Sequence, residues 1–166
     1  MEARPLVRTA VVTDDVAGWV CRYWQDTIMV VHRRRYDVAA LPALVAVADE
    51  LIVGVLSYLV EADALEIVLC HAQPPRQGVG RALVNAAVGL ARQQSLRRVW
   101  CTTTNDNLAA LGFWQAVGFA LVALRPGAVT LARELKPTIP LCSYHGLPIR
   151  DELDLELQLP PASTTR

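Results

Sequence analysis

The sequence has no excess of either charge, no long apolar run and no closely spaced pair of cysteines. Sixteen lysines and arginines balance sixteen acidic residues, so the long-range positive field that draws a protein to nucleic acid is missing. Nowhere do 18 uncharged apolar residues follow one another, and the first residues do not read as a signal peptide. We therefore expect neither nucleic acid nor a membrane as a partner.

The four cysteines are widely spaced and form no CxxC pair. Such unpaired thiols pack as small hydrophobes and are typical of a reducing compartment, so we expect a cytoplasmic protein. The three histidines show no metal-ligand spacing with cysteines or acids. They are expected to be ordinary loop or strand-end residues, and no metal is expected.

Apolar material is plentiful, because 53% of the 166 residues are hydrophobic. That amount suffices for the core of one domain. We expect a single domain over residues 1–159, followed by a polar tail, 160–166, that frays.

The middle of the chain alternates between strand and helix patterns. Apolar runs at 44–49, 51–60 and 65–71 predict an antiparallel meander. Apolar residues at helical spacing predict a helix over 81–94, and 99–103 predicts the next strand. A strand–helix–strand crossover requires the last two strands to be parallel neighbours. The expected fold class is α/β (α+β), with a mixed, mostly antiparallel sheet flanked by helices.

The flanking segments show weaker patterns. Further strands are predicted at 6–12, 119–124 and 153–159, and further helices near 14–24, 108–117 and 130–135. The last strand alternates leucines with acids, as a half-buried strand does. An exposed edge on this terminal strand could support a homodimer.

The loop before residue 81 carries the first chemical signal. Gly78 and Gly80 let backbone N–H groups converge on an anion, and the following helix adds the partial positive charge of its N-terminus. Leu83 stands where a dinucleotide fingerprint has its third glycine, and no Gly-Lys-Ser/Thr occurs. A Gly-x-Gly loop alone is equally consistent with a plain tight turn.

The run 65–119 resembles the core of the GNAT superfamily of N-acetyltransferases. The family's Q/R-x-x-G-x-G/A loop covers 75–80, and its Asn-x-x-Ala-x-x-Phe/Leu-Tyr and Gly-Phe motif is matched by Asn107, Ala110, Phe113 and Gly118-Phe119. The resemblance implies a GNAT fold whose parallel strand pair splays at a CoA site. It also implies transfer of acetyl from the cosubstrate acetyl-CoA, by direct attack, to a primary amine of a small molecule or of a protein or peptide.

Site residues follow from the same resemblance. Main-chain groups of Val68, Leu69 and Cys70 would contact the pantetheine and polarise the acetyl carbonyl. The remaining CoA contacts would come from Arg76, Gln77, Gly78, Val79, Gly80, Arg81, Asn107 and Trp114. Pro75 replaces the usual Gln or Arg, and Trp114 replaces the tyrosine that protonates the departing thiolate. A catalytically impaired CoA-binding sensor or partner subunit therefore stays an alternative, as does an interaction domain that binds no CoA.

Glu66 is the candidate general base that takes a proton from the attacking amine. A solvent-facing strand residue is an equal alternative for Glu66. Asn107 is explained nearly as well as a helix cap. Cys70 is a candidate acyl nucleophile, although a buried core thiol is the favoured interpretation.

Three further groups have a functional and a structural interpretation each. The arginine run 33–35 fits an anion site, but a solvated loop is favoured. Trp19, Tyr23 and Trp24 fit either an acceptor pocket or a core. The acids in 150–152 fit a site for a cationic acceptor, but surface charges at a sheet edge are the simpler account.

Overall fold

The computed structural model describes residues 5–161. Residues 162–166 of the tail that was expected to fray lie outside this range. The helices and strands are β1 (Leu6–Thr9), α1 (Val16–Trp24), β2 (Ile28–Val31), β3 (Arg34–Asp37), β4 (Ala43–Ala48), β5 (Leu51–Glu61), β6 (Ala64–Ala72), α2 (Val79–Gln93), β7 (Arg98–Thr104), α3 (Leu108–Ala116), β8 (Ala120–Arg125), α4 (Ala128–Ala132) and β9 (Glu152–Gln158). None of the helices among these residues is long and apolar enough to cross a membrane.

Seven strands form one sheet in the order β1-β4-β5-β6-β7-β9-β8. All neighbours are antiparallel except β6 and β7, which are parallel. The prediction of a mixed, mostly antiparallel sheet with one parallel pair is confirmed. The terminal strand β9 lies between β7 and β8, so the expectation that it has an exposed edge is wrong. The open edges belong to β1 and β8.

One face of the sheet is covered by α2. Its apolar stripe buries Leu83, Val84 and Ala87 against β4, β5 and β6. Full burial of a side chain such as Leu83 contributes about 1.5–3 kcal/mol. The first turn of α2 approaches β5 closely at Gly54, so this glycine has no room for a side chain.

The other face is covered by α1 and by a hairpin of β2 and β3. The side chain of Asp15 caps α1 by accepting a hydrogen bond from the N–H of Gly18 at 2.8 Å. Trp19 and Val20 of α1 pack against the central strands, and the indole N–H of Trp19 donates to the carbonyl of Ile52 at 2.9 Å. This second core fixes α1 across the middle of the sheet.

The hairpin was not predicted from the sequence. Its turn residues His32 and Arg33 have φ angles of 49° and 62°, the left-handed conformation that a two-residue hairpin turn of type I′ requires. Arg33 lies in the turn, Arg34 and Arg35 lie in β3, and all three are exposed. The run is therefore solvated as expected, but its assignment to a loop is wrong for Arg34 and Arg35. Arg34 pairs with Glu61 on β5 at 2.7 Å.

Candidate functional site

The two parallel strands separate halfway along their length. They pair from Ala64 with Arg98 up to Ile67 with Cys101, and beyond this point β6 pairs only with β5 while β7 pairs only with β9. The facing main-chain groups of 68–72 and 102–104 are therefore not used by strand pairing between β6 and β7. The separation opens a V-shaped gap in the middle of the sheet, as the resemblance implied.

Val68 is an extra residue in β6, because Ser57 pairs with Leu69 while the next residue, Tyr58, pairs with Ile67. This irregularity puts the side chains of both Val68 and Leu69 against the α1-side core. Cys70 packs instead against the α2-side core, and burial raises the pKa of its thiol to about 12. A thiol that holds its proton this strongly is a poor nucleophile, which favours the core interpretation of Cys70.

The glycine loop leads from β6 into α2 beside this gap. Gly78 precedes α2 with φ 78°, and no side chain caps the helix. A Cβ on Gly78 would meet nothing within 4 Å, so the space above the first turn is open. The backbone N–H groups at the start of a helix are unsatisfied within the helix and favour an anion.

The other loop residues divide between solvent and core. Arg76 and Gln77 are exposed, whereas the Val79 side chain is buried in the core, so only its main chain can face a ligand. A Cβ on Gly80 would lie 3.3 Å from Cζ of Phe113. Arg81 is exposed and donates to the carbonyl of Ala116 at the end of α3 at 3.2 Å.

Asn107 and Trp114 both serve α3 in this structure. The Asn107 side chain caps the helix by accepting from the N–H of Ala110 at 3.1 Å, although it also lines a cavity of about 270 Å³ with residues 143–145. Trp114 is buried between Phe113 and Phe119. Its indole carries no hydroxyl and contributes to the core.

Glu66 is not solvent-facing, because the β2–β3 hairpin covers it. Only 5% of Glu66 is exposed, and Oε2 accepts a hydrogen bond from the Tyr36 hydroxyl at 3.0 Å. Burial raises the pKa of Glu66, although the Tyr36 hydrogen bond acts to lower it. Burial also raises the pKa of Tyr36, which keeps that hydroxyl a donor. A buried carboxylate with a raised pKa thus stands one residue before the strands separate.

A second cluster of polar side chains surrounds His32 at the hairpin turn. The Nε2 atom of His32 lies 2.7 Å from Oδ1 of Asp154 and 3.2 Å from Oγ1 of Thr102. The ring stacks on Trp100 with 5.4 Å between ring centroids. His32 lies in the turn at the end of β2, as expected for a loop or strand-end histidine, and its ring is held by residues of β7 and β9.

The acids of β9 are not surface charges at a sheet edge. Glu152 and Asp154 are 3% and 5% exposed. Both oxygens of Glu152 face the backbone N–H of His32, at 3.2 and 3.3 Å. Together with Glu66, three buried carboxylates lie on the sheet face opposite α2.

An aromatic cluster lies at the far end of β6. The rings of Trp19, Tyr23 and Trp24 surround His71, with centroid distances of 5.0–5.7 Å. Trp19 is a core residue, while Tyr23 and Trp24 are more than one-third exposed. The described residues contain no group of three or more His, Cys, Asp or Glu side chains that could hold a metal ion.

The sequence profile of the acetyltransferase (GNAT) family matches residues 14–119. The uncharacterized protein YxbD of Bacillus subtilis (strain 168) is 35% identical over 147 residues, which cover 88% of this chain and 92% of YxbD. A Bacillus subtilis acetyltransferase crystallised with CoA has a similar fold, with a TM-score of 0.68 and 19% identity over 95% of this chain and 100% of that one. A GNAT family acetyltransferase from Elizabethkingia anophelis with acetyl-CoA bound gives a TM-score of 0.68 and 14% identity over 94% and 99% of the two chains.

The profile match assigns an acyltransferase to this arrangement, in which the one parallel strand pair separates beside the uncapped start of α2. The family match extends over most of that arrangement, from α1 to the end of α3. The chain belongs to the GNAT family of acetyltransferases.

Proposed function

We propose that this protein transfers an acetyl group from acetyl-CoA to a primary amine of a small molecule or of a protein or peptide. The observation that carries the proposal is the buried Glu66 carboxylate, placed where β6 and β7 separate and given a raised pKa by burial. General bases work best when their pKa is close to the working pH, and burial moves a carboxyl in that direction.

The residues around the gap fit acetyl-CoA. The open, uncapped first turn of α2 would hold the pyrophosphate through main-chain N–H groups, with the exposed side chains of Arg76 and Gln77 close by. The main-chain groups of Val68 to Cys70 would hold the pantetheine and the acetyl oxygen. When bound, acetyl-CoA supplies a thioester carbonyl that an amine can attack.

Glu66 would remove the proton that the acceptor ammonium must lose. Tyr36 holds Oε2 through its hydroxyl, which leaves Oε1 to receive the proton. The hairpin keeps bulk water from the carboxylate, so the proton acceptor has a fixed position. Trp114 cannot protonate a departing thiolate, and general acid assistance is typically worth about 10²–10⁴ in rate. A thiolate with a pKa near 8.5, as in cysteine, leaves without such assistance, only more slowly.

Calorimetric titration with acetyl-CoA, followed by a thiol-release assay over a panel of amines, tests the proposal. Glu66→Gln should retain acetyl-CoA affinity and lose most of the turnover. The matched control is Glu50→Gln, which removes an exposed acid in the turn between β4 and β5. Binding without release from any amine would favour the CoA-binding sensor, and absence of binding would overturn the proposal.

The phosphate site can be tested by placing one negative charge at two positions of α2. Gly80→Asp puts a carboxylate in the first turn and should abolish acetyl-CoA binding, whereas Gly80→Ala makes the same 3.3 Å approach to Phe113 without the charge and should retain binding. Gly89→Asp adds the same charge further along the helix, where a Cβ meets nothing within 4 Å, and should leave binding unchanged. Equal affinities of the two aspartate variants would rule out the start of α2 as the phosphate site.

A further inference from the structure

A cavity of about 250 Å³ lies on the face opposite α2, between the hairpin turn, β7, β8 and β9. Trp100 and His32 form its stacked wall. Trp100 is the register partner of Glu66 on the neighbouring strand, and adjacent strands lie about 4.8 Å apart. Glu66 does not line the cavity itself, but its strand lies beside the wall that Trp100 forms.

Outside the cavity lining, the buried carboxylates of Glu66 and Glu152 have unused hydrogen-bonding capacity. A carboxylate accepts about four hydrogen bonds. Glu66 receives one side-chain hydrogen bond, from Tyr36, and Glu152 shares the single backbone N–H of His32 between its two oxygens. Burial raises the pKa of both carboxyls, as expected when the charge is incompletely compensated. An ammonium group would supply the missing donors.

The outer end of the cavity is lined by two arginines and by the carboxylates of Glu156 and Asp154 that pair with them. The side chains of Arg98 and Arg125 are 43% and 47% exposed. Arg98 uses NH1 to bind Glu156, and Arg125 uses Nε to bind Asp154 at 2.9 Å. A guanidinium has five N–H donors, so each arginine retains donors that can bind a carboxylate in pairs.

Asp154 holds this outer end in place. Its Oδ1 contacts His32 and accepts from Thr102 at 2.8 Å, while Oδ2 accepts from Arg125. Burial acts to raise the pKa of Asp154, but the hydrogen bonds from Thr102 and His32 lower it overall. Asp154 is thus a satisfied anion that orients Arg125, and it has little capacity left for an acceptor ammonium.

Resting on the proposed function, we infer that the acceptor is a small amine that also carries a carboxylate. Its amine faces Glu66, and its carboxylate binds Arg125 and Arg98 across the face of Trp100. The cavity has the volume of about eight water molecules at roughly 30 Å³ each, which suits a molecule of amino-acid size. A polyamine would place a second cation against the two arginines.

Paired acceptors test this inference. Amino acids are compared with their carboxamides and with the amines that lack the carboxyl carbon, at saturating acetyl-CoA. Because charge-assisted hydrogen bonds are lost in the neutral analogues, kcat/KM should be about 10- to 100-fold higher for the carboxylate form of the preferred pair. Arg125→Gln should remove most of this preference by lowering kcat/KM for the carboxylate far more than for the carboxamide, and Arg125→Lys should restore part of it.

Arg97→Gln is the matched control, because Arg97 precedes β7, is 81% exposed and forms only a 3.8 Å ion pair with Asp63. It should keep the full carboxylate preference. A second measurement does not depend on turnover: calorimetric titration of the protein saturated with CoA should show binding of the amino acid that is lost in Arg125→Gln and retained in Arg97→Gln.

The outcomes separate the two proposals. Turnover of amines with equal kcat/KM for carboxylate and carboxamide would overturn this inference and leave the proposed function standing. Absence of turnover with every amine would contradict the proposed function, and the titration would then decide on the carboxylate site alone. A preference that survives in Arg125→Gln would also overturn the inference.

Discussion

Gly54 on β5 lies directly beneath the first turn of α2, and adding one methyl group there should weaken the fold and the proposed phosphate site together. A Cβ at this position would lie 2.8 Å from Cγ1 of Val79 and 2.9 Å from Cδ1 of Leu83. Carbon atoms pack best at about 3.5–4.0 Å. Gly54→Ala therefore requires the start of α2 to move away from the sheet by several tenths of an ångström.

Overpacking of this kind costs about 1–3 kcal/mol of unfolding free energy. The change from glycine to alanine returns about 0.5–1 kcal/mol through backbone entropy. For a chain of this length, a loss of about 1–2 kcal/mol lowers Tm by roughly 2–8 °C. Acetyl-CoA affinity should fall as well, because Val79 is the first residue of α2 and moves with the turn that faces the phosphate.

Calorimetric unfolding of three single variants and one double variant measures the effect. Gly89→Ala makes the same chemical change within α2, where a Cβ meets nothing within 4 Å, and should stabilise by about 0.5–1 kcal/mol. Val79→Ala removes one of the clashing groups, so Gly54→Ala/Val79→Ala should be more stable than the sum of the single changes predicts. The reasoning is refuted if Gly54→Ala stabilises the protein as Gly89→Ala does.

Three further predictions concern buried or anchoring groups. Glu66→Gln should raise Tm at neutral pH, and the gain should shrink as the pH falls toward the ordinary glutamate pKa of 4.5. Because burial raises the pKa of Glu66, folding favours its protonated form, and the native protein loses stability as the pH rises and this form is lost. A gain in Tm that does not depend on pH would contradict this. A thiol reagent at neutral pH should modify the exposed Cys21 and Cys142 rapidly and spare Cys70, whose pKa burial raises to about 12; mass spectrometry showing early labelling of Cys70 would count against the burial argument. Arg133→Ala should speed amide hydrogen exchange in 139–149, because the Arg133 guanidinium donates to three carbonyls of that segment; unchanged exchange would mean that other contacts hold it.

The strand, glycine loop, helix and parallel strand were predictable because each has a local signal. Hydrophobic periodicity predicted α2 and the strands before and after it, and the crossover rule predicted that these two strands are parallel. The β2–β3 hairpin escaped prediction because its turn has His32 and Arg33 where such turns usually have Asn-Gly or Gly. The position of β9 between β7 and β8 is a long-range choice that the alternation of leucine and acid within the strand does not encode.

The site residues that lie close together in the sequence could be predicted, and those brought together from distant segments could not. The loop at Gly78 and the acid at Glu66 stand next to the motif that identifies the family. The burial of Glu66 depends on Tyr36, which comes from the unpredicted hairpin. The cavity combines residues from three strands and one turn. Asp154 contacts both Arg125 and His32, which lies 122 positions before it in the sequence. Neither a single histidine nor a strand that alternates leucines with acids indicates in the sequence that these residues are in contact.

The place of β9 in the sheet also bears on how the protein is made. β8 has β9 as its only partner in the sheet. During synthesis β8 therefore stays unpaired until residues 152–158 have left the ribosome. Strands that remain open in this way are the segments most exposed to misassembly. A stalled or shortened chain that ends before β9 would expose β8 and the edge of β7, and would lack both Glu152 and Asp154. Such a fragment could retain the glycine loop and α2 without the opposite wall of the cavity.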